Sequence, residues 1–425
     1  MKKGWEKRTL GDIYDLEGGK VQTGPFGSQL HQSDYKERGI AVIMPKDIID
    51  DRLDISKIAR ISATDASRLK KHIVQSNDII FPRRGDIAKR IIIDQKHVGA
   101  FCGTGCIKLR GTGSILNPKF LFYYLKQESI VYWIEQQAIG ATMLNLNTSI
   151  LRSVPISLPP LPTQRKIASI LSSYDDLIEN NLKRIKLLEE KAQLTYEEWF
   201  VRMKFPGWEK VKVDEETGLP VGWEETKIGD FVKTSSGGTP SRKKESEYYQ
   251  DGIIPWIRTG ELRNFMLINS EKFITSAGLK GSSAKLFPAN TVLLAMYGNT
   301  IGETSFATFE TTTNQACCAF LVGKDEFLSY FIHQYLLNNK EQILSHRMGA
   351  AQENISQTII KNIKIVLPDK PILELFSSLI SKNYDSIKII LKQNQLLKEA
   401  RDLLLPRLMM GMINVDKIKI ETYAI

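Results

Sequence analysis

A 425-residue chain with 42% apolar and 25% charged side chains is too long for one small domain and too apolar for a disordered one, so two or three packed domains are expected. No run approaches the roughly 18 apolar residues of a membrane span, the opening MKKGWEKRTLGD lacks the apolar core of a secretory leader, and four cysteines are too few for a disulfide framework, which together predict a reducing cytoplasm. The net charge of +10 permits a polyanionic partner and is uneven: residues 1–158 hold 24 Lys/Arg against 16 Asp/Glu, residues 222–367 hold 15 against 14.

The first element is announced by GWEKRTLGDI at Gly4, a stretch that returns as GWEETKIGDF at Gly222. Short β-type segments follow, GIAVIMPKDI, NDIIF and GCIKLRG, punctuated by turn residues. Asn117-Pro118 then reads as a cap and first helical position for the aromatic helix FLFYYLKQ. After Leu158-Pro159 the texture changes. From Thr163 to about Lys204 there is neither Gly nor Pro, and Leu171, Tyr174, Ile178, Asn181, Ile185 and Leu188 recur in alternating steps of three and four, a coiled-coil seam with one polar residue to fix its register. Residues 206–221 read as a linker.

From Gly222 the same order runs again. At an offset of 213, Tyr35, Gly39 and Ile40 meet Tyr248, Gly252 and Ile253, Ile79-Ile80-Phe81 meets Val292-Leu293-Leu294, and Gly85 meets Gly298. At an offset of 209, Gly140-Ala141 meets Gly349-Ala350, Asn145 meets Asn354, and Leu158-Pro159 meets Leu367-Pro368. Constant register between blocks, with small shifts in loops, marks domain duplication, and the period is far too long for a solenoid. The second long helix carries Ile380, Ile387, Ile390, Asn394, Leu397 and Leu404 on its seam, with Pro406 expected to end or kink it. A 40-residue helix spans about 60 Å, longer than a domain of this size covers, so each long helix is expected to pair with the other.

Catalytic and metal motifs are absent. There is no Gly-rich cofactor turn and no phosphate-binding GxxxxGK[ST], Asn117-Pro118-Lys119-Phe120 is not an adenine-methylase motif, and neither cysteine pair has zinc spacing with histidine partners. Recognition residues are easier to find. The turn after Phe81 supplies Arg83, Arg84, Lys89 and Arg90, and the aligned turn in the second half supplies Tyr297, Asn299 and Thr300 around an equivalent glycine. The loops GPFGSQL, with Ser28 and Gln29, and GGTPSRKK, with Arg242 and Lys243, are further candidates, as are Lys46, Arg258, Asn314 and Gln315. Cations suit phosphates, and amides or guanidinium groups suit base edges. Trp256 and Phe26 are expected to pack rather than to touch bases.

In GWEETKIGD, GGTPSRK…YYQDGIIPWIRTGEL, LLAMYGNTIGE, the Leu-Pro entry to each long helix and the ending LLLPRLMMG, the sequence resembles the specificity subunits of type I restriction–modification systems over nearly its whole length. The resemblance implies an α+β chain of two homologous target-recognition domains, mixed small sheets with helices, separated by two long antiparallel coiled-coil helices about a pseudo-two-fold. The expected division is a first domain at 1–158, a central helix at 159–205, a linker at 206–221, a second domain at 222–367, and a distal helix and tail at 368–425. It implies a cytoplasmic, non-catalytic chain whose partners are double-stranded DNA, two modification (methyltransferase) subunits and, where present, restriction subunits, with no membrane. No cofactor is expected in this chain: S-adenosylmethionine belongs to the methyltransferase, and ATP and Mg to a nuclease or translocase. The entry PLPTQRKI has Thr163 where the family carries an acidic residue, and the second entry, KPILELFS, lacks the glutamine. The rival readings are a fused or stand-alone DNA methyltransferase and a coiled-coil scaffold that never touches DNA.

Overall fold

The computed structural model describes residues 4–49, 51–138, 144–348 and 353–418. Two compact units result, Met1–Leu177 with Leu397–Ile425, and Ile178–Leu396. The matched pairs Gly140-Ala141 and Gly349-Ala350 lie outside the described residues.

In the first unit the repeated opening motif is a strand, Glu6–Thr9, paired antiparallel with Pro155–Leu158, so the start of the domain is tied to its last strand. Thr9 then caps a helix, Leu10–Glu17, in a reciprocal box with Asp12, and Trp5 is buried before it. Two small four-stranded sheets follow. One runs Lys20–Thr23, Cys106–Arg110, Ile79–Pro82, Ile91–Ile92, all antiparallel neighbours. The other holds Ile40–Ile43 between a parallel Phe101–Cys102 and an antiparallel Ala59–Ile61, with Tyr35–Lys36 at its edge. The aromatic helix is Pro118–Leu125, with the Asn117 side chain accepting from the Phe120 N–H at 3.0 Å.

The second unit repeats this plan. Glu224–Lys227 pairs antiparallel with Lys364–Leu367, and Trp223 is buried beside it. Lys233–Ser236, Cys317–Leu321, Thr291–Ala295 and Thr304–Ala307 reproduce the order of the first antiparallel sheet, extended by Met266–Leu267. Ile254–Ile257 again has a parallel neighbour, Thr312–Thr313, and an antiparallel one, Phe273–Ile274.

The central helix runs Leu161–Tyr196 and continues through a wide π turn, Glu197–Val201; the distal helix runs Lys370–Met409. Pro406 does not end the distal helix, which completes another turn. Rather than standing apart from the domains, each helix is shared between units. In the first, Ile167, Ala168 and Leu171 join the domain core together with Leu405, Leu408 and Met409, and Asp175 pairs with Arg401. In the second, Ile185, Ala192 and Tyr196 join a core containing Phe376, Ile380, Ile387 and Ile390. There Asn181 donates to Asn394 at 2.8 Å while Phe200 packs on Phe376, ring centroids 4.8 Å apart, so the two segments run antiparallel. Tyr174, Leu188, Leu397 and Leu404 are half-buried on the same faces.

The two helix entries are built differently. Gln164 accepts from the Asn117 N–H at 2.8 Å and donates to the carbonyls of Ile115 and Pro159, fastening the central helix to the aromatic one. Its counterpart at the 209 offset is Leu373, which is buried in the second core instead. The missing glutamine is thus replaced by apolar contact.

Candidate nucleic-acid interface

One end of each unit gathers four chain segments through backbone contacts, two of which recur between the copies at equivalent positions. In the first unit the Gly24 N–H donates to Cys106 O at 2.8 Å, Gly103 N–H to Ile43 O at 3.0 Å, and Arg83 N–H to Gly105 O at 2.7 Å. In the second, Gly238 N–H donates to Thr313 O at 2.9 Å, Asn314 N–H to Ile257 O at 3.0 Å, and Met296 N–H to Ala316 O at 2.8 Å. The approach is closest at a matched glycine pair: a Cβ on Gly24 would lie 1.8 Å from Gly103 O, and one on Gly237 2.0 Å from Thr313 O. No side chain fits there, so glycine is dictated by the crossing of the backbones. The turn is held alike in both copies, Arg84 bridging Asn145 and Tyr297 bridging Asn354.

On this shared frame the side chains differ. Lys46, Arg84 and Ser28 are exposed in the first unit; Tyr297, Asn299, Gln315, Arg242 and Lys243 are exposed in the second. Lys89 is exposed but faces its own Asp86 at 3.6 Å. Arg83 is half-buried, with its Nε buried and unpartnered among the described residues. Arg258 is half-buried and donates to Glu271 at 2.7 Å.

Several candidates are spent inside the fold. Arg90 is only 2% exposed: its guanidinium donates to the carbonyls of Leu125 and Ala88 and sits 5.3 Å from the Phe81 ring centroid, and burial lowers its pKa to about 10. It therefore belongs to the core of the turn and not to its charged surface. Gln29 uses its Oε1 to accept from the Phe26 N–H at 3.3 Å, Thr300 is buried with its hydroxyl on Tyr297 O, and Asn314 accepts from the Ala316 N–H at 3.2 Å. Gln315 accepts from the Thr239 hydroxyl at 2.6 Å, which orients its amide. Trp256 packs, as expected, and donates to Gly238 O at 3.0 Å. Phe26 does not pack: it is 58% exposed in the loop that follows Gly24, and its setting between Gly24-Pro25 and Gly27 was the one signal in the sequence for an outward-facing ring.

A family model described as the type I restriction modification DNA specificity domain matches residues 2–190 and 220–399, one match on each half of the repeat. The chain belongs to this family. Among specificity subunits, it is 27% identical to that of the MjaIX enzyme of Methanocaldococcus jannaschii over 98% of this chain and 95% of the relative. It is 23% identical to that of the HindI enzyme of Haemophilus influenzae over 88% and 94%. The crystal structure of the S subunit from M. genitalium shares the fold, with a TM-score of 0.55 at 17% identity over 95% and 96% of the two chains. As in other specificity subunits, the work of the chain is DNA target recognition. Among the described residues no group of His, Cys, Asp or Glu could hold a metal, and no helix is long and apolar enough to cross a membrane.

Proposed function

We propose that each unit of this specificity subunit reads one half of a two-part duplex target through the four-segment end described above. The observation that carries the reading is a backbone frame whose crossings recur, Gly103 N–H to Ile43 O and Arg83 N–H to Gly105 O in one copy and Asn314 N–H to Ile257 O and Met296 N–H to Ala316 O in the other, while its exposed residues diverge, Arg84 against Tyr297 and Lys46 against Gly260. A shared frame gives both units the same way of approaching DNA; different side chains give them different bases. The target is then asymmetric, with an unread spacer whose length the paired helices set. The chain itself is non-catalytic and lends its specificity to methyltransferase subunits.

Docking of those subunits is supported by a second, outward stripe on the long helices. Leu187, Leu194 and Val201 are exposed at seven-residue spacing, and so, 209 residues on, are Leu396, Leu403 and Met410. Exposed apolar side chains repeated in heptad phase suit a helical partner, once per copy of the repeat.

The test is to sequence methylated positions in the native host and again after exchanging the turn 83–89 for a relative's. A split motif whose first half alone changes supports the reading. A single contiguous motif, or a change in both halves, overturns it.

A further inference from the structure

We propose that Phe26 is a base-contacting residue of the first unit, touching the half-site through an apolar contact rather than a hydrogen bond. This rests on the reading that the four-segment end faces DNA. A singly exposed apolar side chain usually means nothing, but the backbone that carries this one is held in place. The loop closes on itself, with Gln29 N–H donating to Phe26 O at 2.8 Å and Leu30 N–H to the same oxygen at 3.2 Å. Gln29 Oε1 accepts from the Phe26 N–H at 3.3 Å, and Arg68 donates to Gln29 O at 3.1 Å. Pro25 and Leu30 on either side are buried. The backbone on both sides of the ring is thus fixed, and the ring is left 58% exposed within a few residues of the junction that also carries Lys46 and Arg84.

Such a loop loses little backbone freedom on binding, and DNA offers its ring two apolar targets: the 5-methyl of thymine at a base edge, or the face of a base at an opened step. Flanking cations would hold phosphates while the ring meets the bases. The second unit has Thr239 at the matching loop position and places its exposed aromatic, Tyr297, on the turn instead, where the first has Arg84. The aromatic and the polar contact have exchanged segments between the two copies.

The experiment uses the full chain, purified from its host with the subunits that accompany it, and duplexes carrying the methylated motif or one with its first half scrambled. Phe26→Ala is expected to lower discrimination between the two duplexes on the order of tenfold, and Phe26→Leu to keep most of it. If the ring meets a base edge, replacing thymine by uracil at one position weakens wild type about three- to fourfold, the worth of one buried methyl, and leaves Phe26→Ala unaffected. If it enters a step, 2-aminopurine there brightens on binding of wild type and not of Phe26→Ala. Either signature supports the proposal. Unchanged discrimination overturns it, and so does equal weakening on both duplexes. Lost discrimination with neither signature also overturns it, because the ring would then only shape the loop. Should wild type itself fail to distinguish the duplexes, it is the underlying DNA reading that falls.

Discussion

Arg84, Lys46 and Arg90 are three cations of one neighbourhood with different fates. Arg84 and Lys46 are exposed, whereas Arg90 saturates two carbonyls inside the fold. Each phosphate neutralised on duplex DNA contributes about 0.9 to the slope of log affinity against log salt. Replacing both Arg84 and Lys46 by Gln should therefore reduce that slope by about two while leaving the melting temperature unchanged. Arg90→Met should do the reverse. It leaves the buried Leu125 carbonyl without this partner, at about 1–3 kcal/mol, so it lowers the melting temperature and keeps the salt slope. Tyr297→Ala, which removes no charge, should weaken binding to the target at constant slope. Titrating binding against salt for these variants checks all three.

The helical elements carry polar groups where an apolar residue would pack as well. Asn181 and Asn394 are buried and bonded to each other at 2.8 Å. Changing one to Leu strands the other amide, which should cost about 1–3 kcal/mol in a thermal melt. Changing both should recover the stability and loosen the register that the pair enforces. Glu189, partly buried on the central helix, has its pKa raised from 4.5 to about 7, by burial first and by Glu190 second. A carboxyl whose folded pKa lies above its unfolded one favours folding below about pH 4.5 and loses that advantage as pH rises toward 7. Glu189→Gln should accordingly raise the melting temperature at pH 8 and leave it unchanged at pH 4. His333 works in the opposite direction. Fully buried and bonded to the Tyr384 hydroxyl at 2.6 Å, it has its pKa lowered by burial to about 3, so the unfolded chain takes up a proton first and stability falls as pH drops below about 6.5. The equivalent anchor of the first unit is ionic, with Tyr123 donating to Asp175 at 2.5 Å and Asp175 paired with Arg401. Duplication preserved the place of the anchor and not its chemistry.

For the molecule as a whole, if the helices set the spacer as proposed, their antiparallel pairing dictates how it can be lengthened. With Asn181 opposite Asn394 and Phe200 opposite Phe376, residue numbers rise on one helix as they fall on the other. Seven residues added within 183–198 alone would slide every later contact out of register. Seven added there and seven at the facing stretch 377–392 keep the seam in phase and lengthen it by about 10 Å at 1.5 Å per residue. The paired insertion should retain both half-sites with a spacer about three base pairs longer, given roughly 34 Å per ten base pairs; the single insertion should cost stability and activity. Mapping methylated sites in cells carrying each variant checks this. An unchanged spacer with full activity after the paired insertion would mean that the helices are not the ruler.

The duplication, the capped aromatic helix at Asn117, the two long helices and their seam were legible in the linear order of residues. Each is a local or periodic signal: constant offset, a cap before a proline, steps of three and four. Those signals also located the loops and turns of the candidate interface. They could not say which side chains there remain available, because that depends on partners distant in sequence. Arg90 is claimed by Leu125, Gln164 is claimed by Asn117, and Phe26 is turned outward by a loop that Arg68 helps to hold. Nor could the seam reveal that each long helix is divided between two cores, since one apolar stripe reads the same whichever neighbour covers it. Periodicity specifies that a face is buried; only the packing of residues brought together from opposite ends of the chain decides against what.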